Sequence, residues 1–135
     1  MRYFLSYLVI TLFIISCRPA PENFPINGTW KPVSQNLGGT PLPLAANSNQ
    51  KLVVTDSLYT MHAESIDKGI IHFDEHKMDI YGQEGPNKGK HFKAIYKQTS
   101  GSLTVCYNLQ GDSYPKAFST EGQPLYYLVV FKRIE

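Results

Sequence analysis

Cysteine is scarce in this chain: there are two, Cys17 and Cys106, in 135 residues. At most one internal disulfide is available, and none if either thiol is engaged elsewhere. Charge is nearly absent as a signal. Thirteen Lys and Arg stand against eleven Asp and Glu, a formal net charge of +2, and they form no basic stripe of the kind that binds nucleic acid. Without a cationic groove beside them, the nine Tyr and seven Phe read as sheet and core residues, not as a base-stacking platform. No apolar run reaches the roughly 20 residues a membrane-spanning helix requires. No window carries an apolar helical stripe over three turns. A nucleophile elbow, G-x-S-x-G, is missing too. Asp and Glu fall mainly in turn-like stretches, so no pair of carboxylates can be placed across a cleft. These absences argue against a nucleic-acid binder, a helical membrane protein and an enzyme, and no cofactor is expected.

The longest apolar run comes first. "MRYFLSYLVITLFIISC" puts one charge, Arg2, ahead of an apolar stretch from Leu8 to Ile15 broken only by Thr11. This is the pattern of a secretory signal. It stops at Ile14-Ile15-Ser16-Cys17, which resembles a bacterial lipobox: a small residue enters the peptidase site, and the following cysteine thiol takes the diglyceride. Residues 1–16 are therefore expected to be a cleaved lipoprotein signal peptide, with Cys17 as the lipidated N-terminus. Multiple acyl chains anchor stably, at about 0.8 kcal/mol per buried methylene. The expected location is the bacterial cell envelope, exported and lipid-anchored, on the periplasmic face or the cell surface. Residues 17–26, with "RPAPENFPI", read as a Pro-rich tether. Residues 27–135 are one domain's length. Cys106 would then have no partner. It sits in the strand-like "SLTVCYNL" with no local positive charge to activate it, so it reads as a packed side chain and not a nucleophile.

From Asn27 onward the chain is a series of short β-branched or aromatic runs bounded by turn residues. "NGTWKPVSQN" is followed by the Gly/Pro/Asn-rich "LGGTPLPLAANSNQ", read as a long loop with room for a helical turn in 40–50. "KLVVT", "LYTMHAE", "GIIHFD", "KMDIYG", "HFKAIYKQT", "LTVCYNL" and "LYYLVVFKRI" complete eight candidate strands. "SIDKG" reads as the turn between the third and fourth. Several runs alternate cleanly, as Leu103, Val105 and Tyr107 do against Thr104, Cys106 and Asn108. Eight sequential strands joined by hairpins predict an all-β, antiparallel, up-and-down barrel, which removes its edges by closing on itself. Eight strands enclose either a filled core or room for one small ligand.

Particular residues carry a resemblance. Gly28-Thr29-Trp30 supplies a G-x-W on the first strand, and Arg133 stands in the closing "VVFKR". Together with "GGTPLP" and "EGPNKGKHFKAIYKQTSGSLTVCY", these resemble a family of lipocalin-like domains abundant in planctomycetes and present in other bacteria. The resemblance spans about residues 27–133. It implies a barrel in which a basic residue from the last strand lies across the first-strand Trp ring and ties the chain ends together. It implies no mechanism.

Two motifs invite chemistry. His72, Glu75 and His76 in "IIHFDEHKMDI" spell H-x-x-E-H, an inverted zinc-protease signature that needs a helix. Ile70, Ile71 and Phe73 favour a strand, and Asp74-Glu75-His76 a hairpin turn, so no metal site is expected, even with His62 nearby. "EGPNKGK" is not a phosphate loop, because Lys90 is not followed by Ser or Thr; it reads as a hairpin tip. The function expected is a lipid-anchored envelope module binding a small apolar or amphipathic ligand or envelope component. Its candidate interior residues are Tyr59, Met61, Met78, Ile80, Tyr96, Val105, Tyr107 and Tyr127. The alternative is a structural or protein-interaction barrel with a filled interior. Neither the membrane leaflet nor the oligomeric state is legible.

Overall fold

The computed structural model describes residues 25–135. The expected signal peptide, the expected lipidation residue Cys17 and nearly all of the expected tether lie outside them. Nine strands form one antiparallel sheet: β1 (Gly28–Leu37), β2 (Thr40–Leu42), β3 (Lys51–Thr55), β4 (Leu58–His62), β5 (Ile66–Asp74), β6 (Lys77–Glu84), β7 (His91–Thr99), β8 (Ser102–Asn108) and β9 (Tyr126–Arg133). Each strand from β3 to β9 pairs with its neighbour in sequence, and β1 pairs with both β3 and β9. The sheet thus closes into an eight-stranded up-and-down barrel. The eight strands are those the alternation picks out.

β2 is the ninth strand and stands outside that count. It was expected to be loop. β1 pairs with β3 only over Gly28–Trp30, which leaves the edge of its second half open. The Gly38-Gly39 turn folds the chain back so that Thr40–Leu42 pairs with Gln35–Leu37. No helical turn forms between residues 40 and 50. The reading of "SIDKG" also changes: Ile66-Asp67-Lys68 belongs to β5, facing Thr60–His62 of β4.

The two barrel ends differ. At one end the links are two residues long, Asp56-Ser57, Glu75-His76 and Ser100-Gly101. At the other, the loops 43–50, 85–90 and 109–125 surround a mouth. The short-link end is sealed by Trp30, which is fully buried. Its indole Nε1 donates to the Ile26 carbonyl at 2.9 Å. The Arg133 guanidinium lies 4.2 Å from the ring centroid and donates to the Asn27 carbonyl at 2.7 Å. Gly28 makes this possible. It adopts φ +138°, and a Cβ there would stand 2.3 Å from Arg133 Nη1. Only a residue without a side chain tolerates both the dihedral and the approach. Ile26, expected at the end of the tether, is 1% exposed and belongs to the core, so the packed domain starts ahead of Asn27.

Alternation divides each strand between inside and outside. Leu52, Val54, Ile71, Met78, Ile80, Ala94, Leu103, Val105, Val129 and Phe131 form the buried interior. A register shift in β1 between Pro32 and Ser34 turns Gln35 inward opposite Val129, where strict alternation from Trp30 would point it out.

The residues between β8 and β9 form a strap across the outer surface. Tyr114 donates to Asp79 on β6, and Lys97 of β7 stands 4.6 Å over the Phe118 ring. Cys106 of β8 contacts the Ser119 carbonyl, and Thr120 donates to Asn36 of β1. The strap explains two buried outward-facing residues, Cys106 and Asn108. Asn108 donates to Asp112 at 2.8 Å and to the Ser113 carbonyl at 2.9 Å.

Candidate functional site

The barrel interior is not solid. A cavity of about 460 Å³ runs from the mouth toward the Trp30 end, within the roughly 300–1,000 Å³ range of small-molecule sites. Its deep wall is apolar: Ile26, Leu52, Ile71, Met78, Ile80, Val105, Val129 and Phe131. Nearer the mouth, the strand ends contribute Met61, Phe92, Tyr107, Tyr127, Gln35 and Leu109, and the β6–β7 tip contributes Asn87 and Lys90.

Of the candidate interior residues, Tyr59, Met61, Met78, Ile80, Val105, Tyr107 and Tyr127 all line this cavity. Tyr96 does not. It points inward, but its hydroxyl donates to the Glu75 carbonyl at 2.8 Å and its ring meets Phe73 edge-on at 5.8 Å. The side chain therefore runs down to the β5–β6 link and plugs the sealed end. Phe92, four residues nearer the mouth on β7, takes the wall position instead.

Asp67 is the polar residue the sequence concealed. Assigned to β5 and facing inward, it is 8% exposed and lines the cavity. Tyr59 donates its hydroxyl to Oδ2 at 2.9 Å. The Asn87 backbone N–H donates to Oδ1 at 3.0 Å and its side-chain amide to Oδ2 at 3.0 Å. Asp67 thus clasps the hairpin tip "GPNKG" down beside the mouth. Gly82 permits the clasp, since a Cβ at that position would stand 1.9 Å from the Asn87 carbonyl oxygen. Gly89 N–H closes the tip back onto the Gly82 carbonyl at 3.0 Å.

Three phenols share this chamber. Tyr107 and Tyr127 stack with centroids 5.8 Å apart, and Tyr59 lies close enough that its phenolate would repel that of Tyr107. Burial raises all three. At Tyr59 the hydrogen bond to Asp67 and its negative charge add to the effect. At Tyr107 the neighbouring Tyr127 and Tyr59 do so. Burial alone pushes Tyr127 up to about 12. All three phenols are therefore neutral at physiological pH and present hydroxyls and ring faces, not phenolates.

The H-x-x-E-H letters are scattered by the strand–turn–strand. His72 lies on the outer face of β5, 5.2 Å from the Tyr81 ring. Glu75 occupies the turn with φ +54°. His76 packs toward Tyr96 at 6.5 Å, and His62 ends β4 near the opposite, mouth end. Among the described residues no three His, Cys, Asp or Glu side chains converge in a metal-binding group. Cys106 is buried and unpaired, and burial raises its thiol against the opposing effect of its Ser119 contact, which favours the unreactive protonated form.

A second polar cluster lies outside the barrel. Asp79 Oδ1 receives His91 Nε2 at 2.6 Å and Lys93 Nζ at 2.9 Å, while Oδ2 receives Tyr114. Both carboxylate oxygens are used, Oδ1 by β7 and Oδ2 by the strap. The reading of acidic residues as mainly turn residues therefore fails at Asp67, whereas Asp79 lies on the strand read from "KMDIYG". No family model, no curated protein and no solved structure matches this chain.

Proposed function

We propose that this protein is a non-enzymatic binding module that holds one small amphipathic molecule in its barrel. The observation carrying this is the cavity, with an apolar depth and a phenol-lined neck. An interior kept only for stability would fill that volume, because unfilled space costs about 24 cal/mol per Å³. Hydrophobic walls with a few placed polar groups are the composition of ligand sites. The sealing contacts of Gly28, Trp30 and Arg133 support placing the domain among the lipocalin-like barrels it resembles. On this reading the lipobox Cys17 tethers the module to the envelope membrane.

Uptake of the neutral probe N-phenyl-1-naphthylamine tests the binding reading. Its fluorescence should rise on mixing with the purified domain and fall when an envelope lipid extract competes. No rise with the folded domain would refute the proposal. Anchoring is tested separately: Cys17→Ala should move the protein from the membrane fraction to the soluble fraction and abolish incorporation of labelled palmitate.

A further inference from the structure

Resting on the binding reading above, we infer that the cavity selects a ligand with a cationic head, an alkylamine or quaternary ammonium group, held by Asp67 within a collar of aromatic rings. The first observation is a charge without a counter-charge. Asp67 is 8% exposed, and the ion pairs among the described residues involve Glu84 and Asp79, not Asp67. Its three protein partners are a phenol, a backbone amide and a side-chain amide, all neutral donors. A carboxylate offers about four acceptor positions. Oδ2 receives two donors and Oδ1 one, so one position on Oδ1 has no protein donor. A carboxylate removed from water gains most from a cation beside it.

The second observation is the company it keeps. Tyr59, Phe92, Tyr107 and Tyr127 line the same cavity, and the Tyr107 and Tyr127 rings are stacked side by side. Ring faces attract cations, most strongly where water is excluded, and several rings around one carboxylate are the chemistry that recognises quaternary ammonium groups. The phenols stay neutral, so they add ring faces and no competing charge. The opposite assignment would seat an anionic head on Lys90. That side chain is exposed at the tip, where water screens it, and an anion inside the neck would meet Asp67.

Three octyl ligands with the same tail separate these cases: octyltrimethylammonium, octanol and octanoate, each titrated calorimetrically into the wild-type domain. The expected result is that octyltrimethylammonium binds at least about tenfold more tightly than octanol, with octanoate weakest. Asp67→Asn, checked for folding by circular dichroism, should abolish the advantage over octanol while octanol binding persists. Tyr107→Leu should reduce the advantage with Asp67 intact. Equal affinity for the three, or preference for octanoate, overturns the cation inference and leaves the binding reading standing. Binding of none overturns both.

Discussion

At Trp30 the Arg133 guanidinium occupies one face of the indole while the Ile26 carbonyl takes its N–H. The same guanidinium reaches the Asn27 carbonyl, so a single side chain joins the start of β1 to the end of β9. Replacing Arg133 by Met keeps the aliphatic stem and removes the charge and the donor. A stability loss of about 2 kcal/mol is expected from the cation–π contact and the charged hydrogen bond together, read as a lower urea midpoint at unchanged slope. Gly28→Ala should cost at least as much, because its Cβ meets Arg133 Nη1 and its φ of +138° is foreign to alanine. These residues were legible because G-x-W and a late Arg are local letters whose partnership follows from closing the barrel. Cys106 was legible only in part. Alternation put it outside, opposite Val105 and Tyr107, but its burial comes from the Ser119 segment of the strap. That contact joins residues on different elements and leaves no periodic trace.

Strands with clean alternation and tight links were readable because each such run has one buried face. β2 was not, since "GGTPLP" carries turn residues and pairs only because β1 has a free edge. Asp67 was hidden for a related reason: Ser-Ile-Asp-Lys-Gly has turn composition, and only pairing with β4 makes it strand. The strap gives the element-level prediction. Burial pushes the Asp79 carboxyl up, but the hydrogen bonds from Tyr114, Lys93 and His91 and the charge of Lys93 outweigh it and bring it down to about 2. The unfolded carboxyl titrates near its ordinary value of about 3.9. The folded group lies lower, so this network stabilises the protein above about pH 4, and the contribution fades as pH falls from there toward 2. Asp79→Asn should therefore be less stable than wild type at pH 6, with the difference shrinking steadily between pH 4 and pH 2. Urea midpoints across that window measure it. A difference that stays constant down to pH 2 would mean that the carboxylate does not anchor the strap. Increased proteolysis between residues 109 and 125 in the variant would locate the loosened segment.

For the whole molecule, the balance between stability and binding turns on the space left inside the barrel. Eight strands can be filled by side chains or left with room for a ligand, and strand count alone does not decide between them. The outcome depends on side-chain volumes: Val105 and Val129 are small at lining positions where larger residues would close the interior. Val105 is fully buried, midway along β8, and lines the cavity. Val105→Phe adds a ring where empty volume exists, so the overpacking cost of about 1–3 kcal/mol seen in filled cores should be largely absent. A ligand needing the same volume should be displaced. The expected outcome is a urea midpoint within about 1 kcal/mol of wild type together with loss of probe uptake. Severe destabilisation would show that the cavity does not persist as open volume in solution. Unchanged stability with unchanged uptake would place the probe outside the barrel. The wild-type protein gives an independent check, since a ligand bound only by the folded barrel at a hundred times its Kd raises stability by about 2.7 kcal/mol. The Val105→Phe protein should show no such rise with the same ligand, because its stability no longer depends on occupancy.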